Sequence, residues 1–160
     1  MPLIRFDLIK GRTDKEIADL LDAAHEAMLE AFRVPVRDRY QIVVEHDKSR
    51  LRIEDTGLGI ERTDKVVVVQ VTSRPRTTAE KQSFYRLLGA ALQKRCGTAP
   101  GDVMVSIVEN TDADWSFGNG EAQFSPASSA LQPKCQARDQ RRERDEAPPS
   151  FCAMYGLSRR

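Results

Sequence analysis

The sequence predicts an α/β (α+β) domain: two β-α-β units in tandem, paired into one four-stranded sheet with both helices on one face. Three observations predict it. Two segments open with the same device, Thr13 with Glu16 and Thr77 with Glu80, a capping box in which side chain and backbone satisfy each other's donors. Each box leads into an apolar stripe at helical spacing. The stripes are Ile17, Leu20, Leu21, Ala24, Met28, Ala31 and Phe32, then Phe84, Leu87, Leu88, Ala91 and Leu92. Finally, Arg12 and Arg76, Thr13 and Thr77, Glu16 and Glu80, Asp38 and Asp102, and Glu45 and Glu109 all stand 64 positions apart. Strand, cap, helix, turn acid and strand therefore recur as one unit.

The chain opens with an apolar stretch, 3–9, entered directly from Pro2, and this reads as the first strand. The first helix should end near Arg33, ahead of Pro35. Residues 39–46 read as the second strand, and 51–55 as a short edge strand closed by a turn over 56–59. The run 66–73 is β-branched almost throughout, as a strand buried on both faces should be. The second helix should stop at Cys96-Gly97. There glycine suits a left-handed C-terminus, whereas its counterpart Arg33 would cost roughly 1 kcal/mol in that conformation. Residues 103–109 form the last long strand. Parallel strands within each unit need a crossover helix, so the second sheet face is left bare, with Leu, Ile and Val on it, and predicts association.

Size and composition narrow the function. At 160 residues, 40% hydrophobic and 31% charged, the chain can bury a core. A net charge of +1 points to neither nucleic acid nor membrane. No apolar run approaches the ~20 residues of a membrane span, and Arg5 and Asp7 interrupt any signal-peptide pattern. Cys96, Cys135 and Cys152 form no CxxC or zinc pattern, so reduced thiols and a cytoplasmic location are expected. His25 and His46 are too few for most metal chemistry; His25 reads as structural and His46 as the unremarkable end of a strand. From Ser125 the composition shifts to Ser, Pro and Gln. Residues 126–160 carry seven Lys or Arg against four Asp or Glu and are expected to be disordered. The folded domain is thus 1–124, with units at about 2–60 and 66–124.

Met1-Pro2 offers a candidate for chemistry. An initiator methionine before proline is normally trimmed, which would leave Pro2 as a secondary amine at the chain's start. An α-amino group titrates near pH ~8, so its surroundings decide whether it acts as base or cation. Many chains begin Met-Pro without catalytic purpose, but a terminus that starts a strand is held in place, whereas most fray.

An N-terminal proline followed by a tandem β-α-β repeat resembles the tautomerase superfamily, and within it the malonate semialdehyde decarboxylase branch. The resemblance rests on Pro2-Leu-Ile-Arg-Phe-Asp-Leu-Ile9, Asp38-Arg-Tyr-Gln-Ile-Val43, Glu54-Asp-Thr-Gly-Leu58, Thr72-Ser-Arg-Pro-Arg76 and Met104-Val-Ser-Ile-Val-Glu-Asn110. Asp112-Ala-Asp-Trp-Ser-Phe-Gly118 and Ala122-Gln-Phe124 complete it. It implies that Pro2 is the catalytic amine with Asp38 beside it, and that Arg74 and Arg76 act on and bind a substrate carboxylate. It implies that Trp115, Phe117 and Phe124 wall the pocket, that the bare sheet faces meet in a homotrimer, and that neither metal nor organic cofactor takes part.

The implied roles make chemical sense. In a 3-oxo acid such as malonate semialdehyde, loss of carbon dioxide leaves an electron pair that becomes an enolate. A protonated Pro2 would hydrogen-bond the aldehyde oxygen, or a neutral Pro2 would form an iminium there; an ionised Asp38 would favour the cationic amine. Two guanidiniums would hold the carboxylate. Plainer roles also suit these residues. Arg74 and Arg76 would serve as solvated residues before a helix, Asp38 as a turn acid, and Trp115 and Phe117 as core. Two other functions use the same frame: an enol tautomerase or hydratase, and a non-catalytic cytokine-like binding trimer.

Overall fold

The computed structural model describes residues 1–124. It divides into a unit Met1–Asp114 and a second that begins at Trp115. The tail expected to be disordered lies outside the described residues.

In the first unit the order is β1 (Pro2–Ile9), α1 (Asp14–Phe32), β2 (Tyr40–His46), β3 (Val67–Ser73), α2 (Thr78–Cys96) and β4 (Val103–Glu109). Both helices start as the capping boxes require: Thr13 and Thr77 accept from the Glu16 and Glu80 amides, and each glutamate side chain bonds back to the cap. Both end in a left-handed residue, Arg33 at φ 51° and Gly97 at φ 60°. Arg33 is an expensive choice for that conformation, because its Cβ crowds the following carbonyl.

The sheet order is β2-β1-β3-β4. Each unit supplies a parallel pair, β1 with β2 and β3 with β4, and the units join through the antiparallel pairing of β1 with β3. In that join Pro2 faces Ser73 and Leu8 faces Val67. Alternate strand residues Ile4, Phe6, Leu8, Val67, Val69 and Val71 are buried under the helices, as the period-two geometry of a strand demands. The helices close over them, and Phe32 stacks on Phe84 with ring centroids 5.0 Å apart.

The other sheet face corrects two expectations. It is apolar at its borders, where Ile42, Met104 and Val108 are exposed, but polar at its centre. Arg5 donates twice to Asp7, from Nε and Nη2, both at 2.9 Å. His46 Nε2 lies 2.7 Å from the same carboxylate, and Gln70 Nε2 donates to it at 3.3 Å. His46 is therefore not an idle strand end. Its partner Asp7 is 6% exposed, and the hydrogen bonds from Arg5 hold the carboxyl below its ordinary pKa, helped by His46 and opposed by burial. His25 is structural as expected: it is buried, and its Nε2 meets the Val36 carbonyl at 3.0 Å.

The segment 51–55, expected as an edge strand, joins no ladder among the described residues and is irregular; the Glu54 carbonyl accepts instead from Arg62 Nε at 3.2 Å. Its alternation is genuine, with Leu51 and Ile53 half-buried and Arg52 and Glu54 exposed. Alternation reports a one-sided environment, while a strand also needs a ladder partner. The following turn forms as expected: the Asp55 carboxylate accepts from the Gly57 and Gly59 amides at 3.0 and 2.8 Å. The linker onward to β3 is pinned at Gly101, where an added Cβ would meet the Glu61 carbonyl at 2.6 Å.

Candidate active site

The antiparallel register decides where the candidate residues meet. Because Pro2 lies opposite Ser73, the start of β1 adjoins the end of β3, from which Arg74-Pro75-Arg76 continues. The loop between α1 and β2 arrives at the same end of the sheet. A turn there, with the Asp38 amide donating to the Pro35 carbonyl at 2.9 Å, sets Asp38 in place. Its Oδ2 is 3.1 Å from the Met1 amino group, and the two side chains are only 9% and 11% exposed. Pro2 is buried. The acid and the chain's amino end, 37 positions apart, thus form a poorly solvated ion pair.

Arg76 is tied into the fold. Its Nε donates to Ser73 Oγ at 3.1 Å and its Nη1 to the Phe32 carbonyl at 3.2 Å. The guanidinium also sits 4.8 Å from the centroid of the Phe32 ring. Phe32 ends α1, whose last turn contains no basic residue. Arg76 therefore supplies, from the other half of the chain, the cation and the donor that a helix C-terminus favours. Its own amide donates to Glu109 Oε1 at 3.1 Å. Glu109 titrates below the ordinary range because Lys81 and this amide both bond its carboxylate. Arg74 does something different, forming an ion pair with Asp112.

The opposite end of the sheet carries the repeat's counterpart. Asp102 is 1% exposed and accepts from the Thr63 amide at 2.6 Å and from Thr63 Oγ1 at 2.7 Å. It holds the chain entering β3 as Asp38 holds the chain entering β1. Val66 occupies the place of Pro2 there, inside the chain, so no free amine is present.

In the second unit, Trp115 and Phe117 stack nearly parallel, with centroids 5.4 Å apart and planes 6° apart. Phe124, half exposed, meets Phe117 edge-on at 5.8 Å. Gln123 clips this segment together, accepting from the Phe117 amide at 2.9 Å and donating to the Gly118 carbonyl at 2.6 Å. The three aromatics foreseen as a wall therefore form one cluster with each other.

Sequence reasoning missed Asp7, Arg5 and His46 as a connected group. The signal was present, since Arg5 and Asp7 share parity in a strand whose other parity is wholly apolar. Among the described residues no group of three or more His, Cys, Asp or Glu is arranged to hold a metal ion. No described helix is long and apolar enough to cross a membrane.

Comparison with known proteins agrees with the fold. Two family profiles, both described as "Tautomerase enzyme", match residues 38–118 and 2–61. The "Probable tautomerase YrdN" of Bacillus subtilis (strain 168) is 58% identical over 124 residues, spanning 78% of this chain and 96% of the relative. A crystal structure of malonate semialdehyde decarboxylase, studied as wild type, inactivated enzyme and a variant with its first-position proline replaced by alanine, is 55% identical. It superposes with a TM-score of 0.75 over 76% of this chain and 95% of its own. The FG41 malonate semialdehyde decarboxylase, inhibited by 3-bromopropiolate, is 38% identical, with a TM-score of 0.74 over 82% and 98% of the two chains. Both halves of the repeat and nearly the full length of these relatives are covered, and the chain belongs to the tautomerase family.

Proposed function

We propose that the protein is a cofactor-independent decarboxylase of malonate semialdehyde or a similar 3-oxo acid, releasing carbon dioxide and acetaldehyde. The observation that carries this reading is the ion pair of Asp38 with the N-terminal amine at the head of β1, 3.1 Å long and nearly shielded from water. That contact is made by the Met1 amine; removal of Met1 moves the amine one residue inward to Pro2, the buried first residue of β1. An adjacent carboxylate favours the cationic form, which suits an acid or electrostatic catalyst and disfavours a general base.

In this reading the substrate carboxylate lies against Arg74 and Arg76. Arg76 is half-buried and orients itself through Ser73 Oγ and the Phe32 carbonyl, leaving its Nη2 edge for the ligand. Rigid placement of the carboxylate turns the breaking C–C bond into line with the carbonyl π-system, positioning of the kind worth several kcal/mol. The Pro2 ammonium hydrogen-bonds the aldehyde oxygen and stabilises charge there as the bond breaks. The carboxylate departs as carbon dioxide, its bonding electrons pass into the enolate, and a proton added at the α-carbon gives acetaldehyde. The borders of the open sheet face meet in a homotrimer. Likeness to both decarboxylase structures, 55% and 38% identical, supports this specificity.

A second reading, an enol tautomerase or hydratase using the same amine, is favoured by the name of the 58% identical relative and by the hydratase activity ascribed to the 55% identical decarboxylase. Proton NMR of the purified protein with malonate semialdehyde distinguishes them, once intact mass has shown Met1 to be absent. Acetaldehyde from the parent, reduced about a hundredfold in Pro2→Ala and Arg76→Ala, supports the decarboxylase. Absence of acetaldehyde overturns it and leaves enol substrates to be assayed with the same Pro2 variant.

A further inference from the structure

The internal repeat creates a second basic pocket at the far end of the sheet. Beyond the C-terminal end of β1, a cavity of about 170 Å³ is lined by Ile9, Lys10, Gly11, Arg12, Glu16, Asp64, Lys65 and Cys96. Shifted by 64 positions, Lys10 corresponds to Arg74, Arg12 to Arg76, Glu16 to Glu80 and Cys96 to Phe32. The cavity is thus built from the counterparts of the candidate active site, with the arginine in the same place ahead of a capped helix.

Its charges are unevenly committed. Glu16 is occupied by the Thr13 amide and hydroxyl, each at 2.8 Å, and bonds from both hold it below the ordinary carboxylate range. Asp64 pairs with Lys48 at 2.6 Å, and Lys10 with Asp47 at 2.8 Å. Arg12 is half-buried, and its one described hydrogen bond, from Nη2 to the Lys65 carbonyl at 2.7 Å, uses one of five donors. The Lys65 ammonium makes no hydrogen bond or ion pair among the described residues and attracts Glu16 only through space. Burial acts against the Arg12 charge, opposed by Cys96, Glu16, Glu45 and Asp102. A planar anion at the free edge of the guanidinium would relieve that cost by bidentate bonding.

We propose that this cavity binds a small carboxylate, held by the Arg12 guanidinium and the Lys65 ammonium, as a second site at the opposite end of the sheet from the candidate active site. It binds without converting, because Val66 stands where the first site has its amine. The proposal does not rest on the decarboxylase reading, since it uses neither Pro2 nor any turnover.

Cys96 lines the cavity and reports on it. Iodoacetate is a small carboxylate and iodoacetamide its neutral analogue; either reacts when the thiolate sulfur displaces iodide to form a thioether. Peptide mass spectrometry of the full-length protein follows alkylation at Cys96, with Cys135 as the internal reference. We expect the iodoacetate-to-iodoacetamide rate ratio at Cys96 to exceed that at Cys135 on the order of tenfold. Malonate should slow Cys96 alone. The preference should vanish in Arg12→Ala and weaken in Lys65→Ala, a substitution at an exposed side chain that spares the core. Equal ratios at the two cysteines, no protection by malonate, or a preference that survives in Lys65→Ala and Arg12→Ala would overturn the site. Protection by inorganic phosphate equal to that by malonate would overturn the carboxylate assignment.

Discussion

Asp38 and Asp102, 64 positions apart, each hold the chain just ahead of a strand, but they hold different groups. Asp102 takes the amide and hydroxyl of Thr63 at 2.6 and 2.7 Å, and Asp38 takes the N-terminal amine at 3.1 Å. One structural position thus serves as a clamp in the second half and, in the proposed chemistry, as a charge partner in the first.

Substituting the two acids should separate these roles. Asp102→Ala leaves the Thr63 amide without its acceptor and should cost about 1–3 kcal/mol of stability, read by chemical denaturation. Asp38→Asn should leave stability closer to the parent while lowering turnover tenfold or more, the range for loss of a positioned charge. Equal destabilisation by both changes would remove the distinction.

Arg76 should show two effects where Arg74 shows one. Arg76→Ala removes the donor at the C-terminus of α1 and the contact with the Phe32 ring, so melting temperature and activity should both fall. Arg74→Ala breaks an ion pair with Asp112 that is more than a third exposed. Such pairs contribute ~1 kcal/mol or less, so its loss should be read mainly in kcat/KM.

Arg33 offers a stabilising change. Its left-handed conformation, φ 51° and ψ 41°, costs a side-chain-bearing residue roughly 1 kcal/mol that glycine avoids. Arg33→Gly should therefore raise Tm by about 2–4 °C, as Gly97 already does for α2. Differential scanning calorimetry checks this.

The polar centre of the open sheet face should make the fold acid-sensitive. Asp7 has its folded pKa depressed, first by the hydrogen bonds from Arg5. Its contribution is therefore complete above the ordinary carboxylate range, near pH ~4, and is lost as pH falls through the lowered folded value. Asp7→Asn should cost about 1–3 kcal/mol at neutral pH and flatten the stability profile across the acid limb. An unchanged acid limb would show that the carboxylate contributes nothing.

Much of this protein was legible in order along the chain. Both capping boxes, both helix ends, the strand 103–109 and the two-unit repeat follow from interactions among residues three or four apart or from strict alternation, which any reader of the residues can apply. The candidate residues Pro2, Asp38, Arg74 and Arg76 were named through the family resemblance that the same string carries. That they gather at one end of the sheet was not visible there, because it depends on the antiparallel register that sets Pro2 against Ser73.

By itself, then, the sequence determined the local elements and their twofold recurrence. Tertiary structure alone decided what each polar side chain meets. His46 reads as a strand end until β2 pairs with β1 and brings it 2.7 Å from Asp7. Segment 51–55 alternates like a strand, yet no neighbour offers it a ladder. Arg76 becomes the cap of α1 only because two halves of the chain pack together. Hydrogen-bond partners far apart in sequence are chosen by packing and register, and no short-range pattern records that choice.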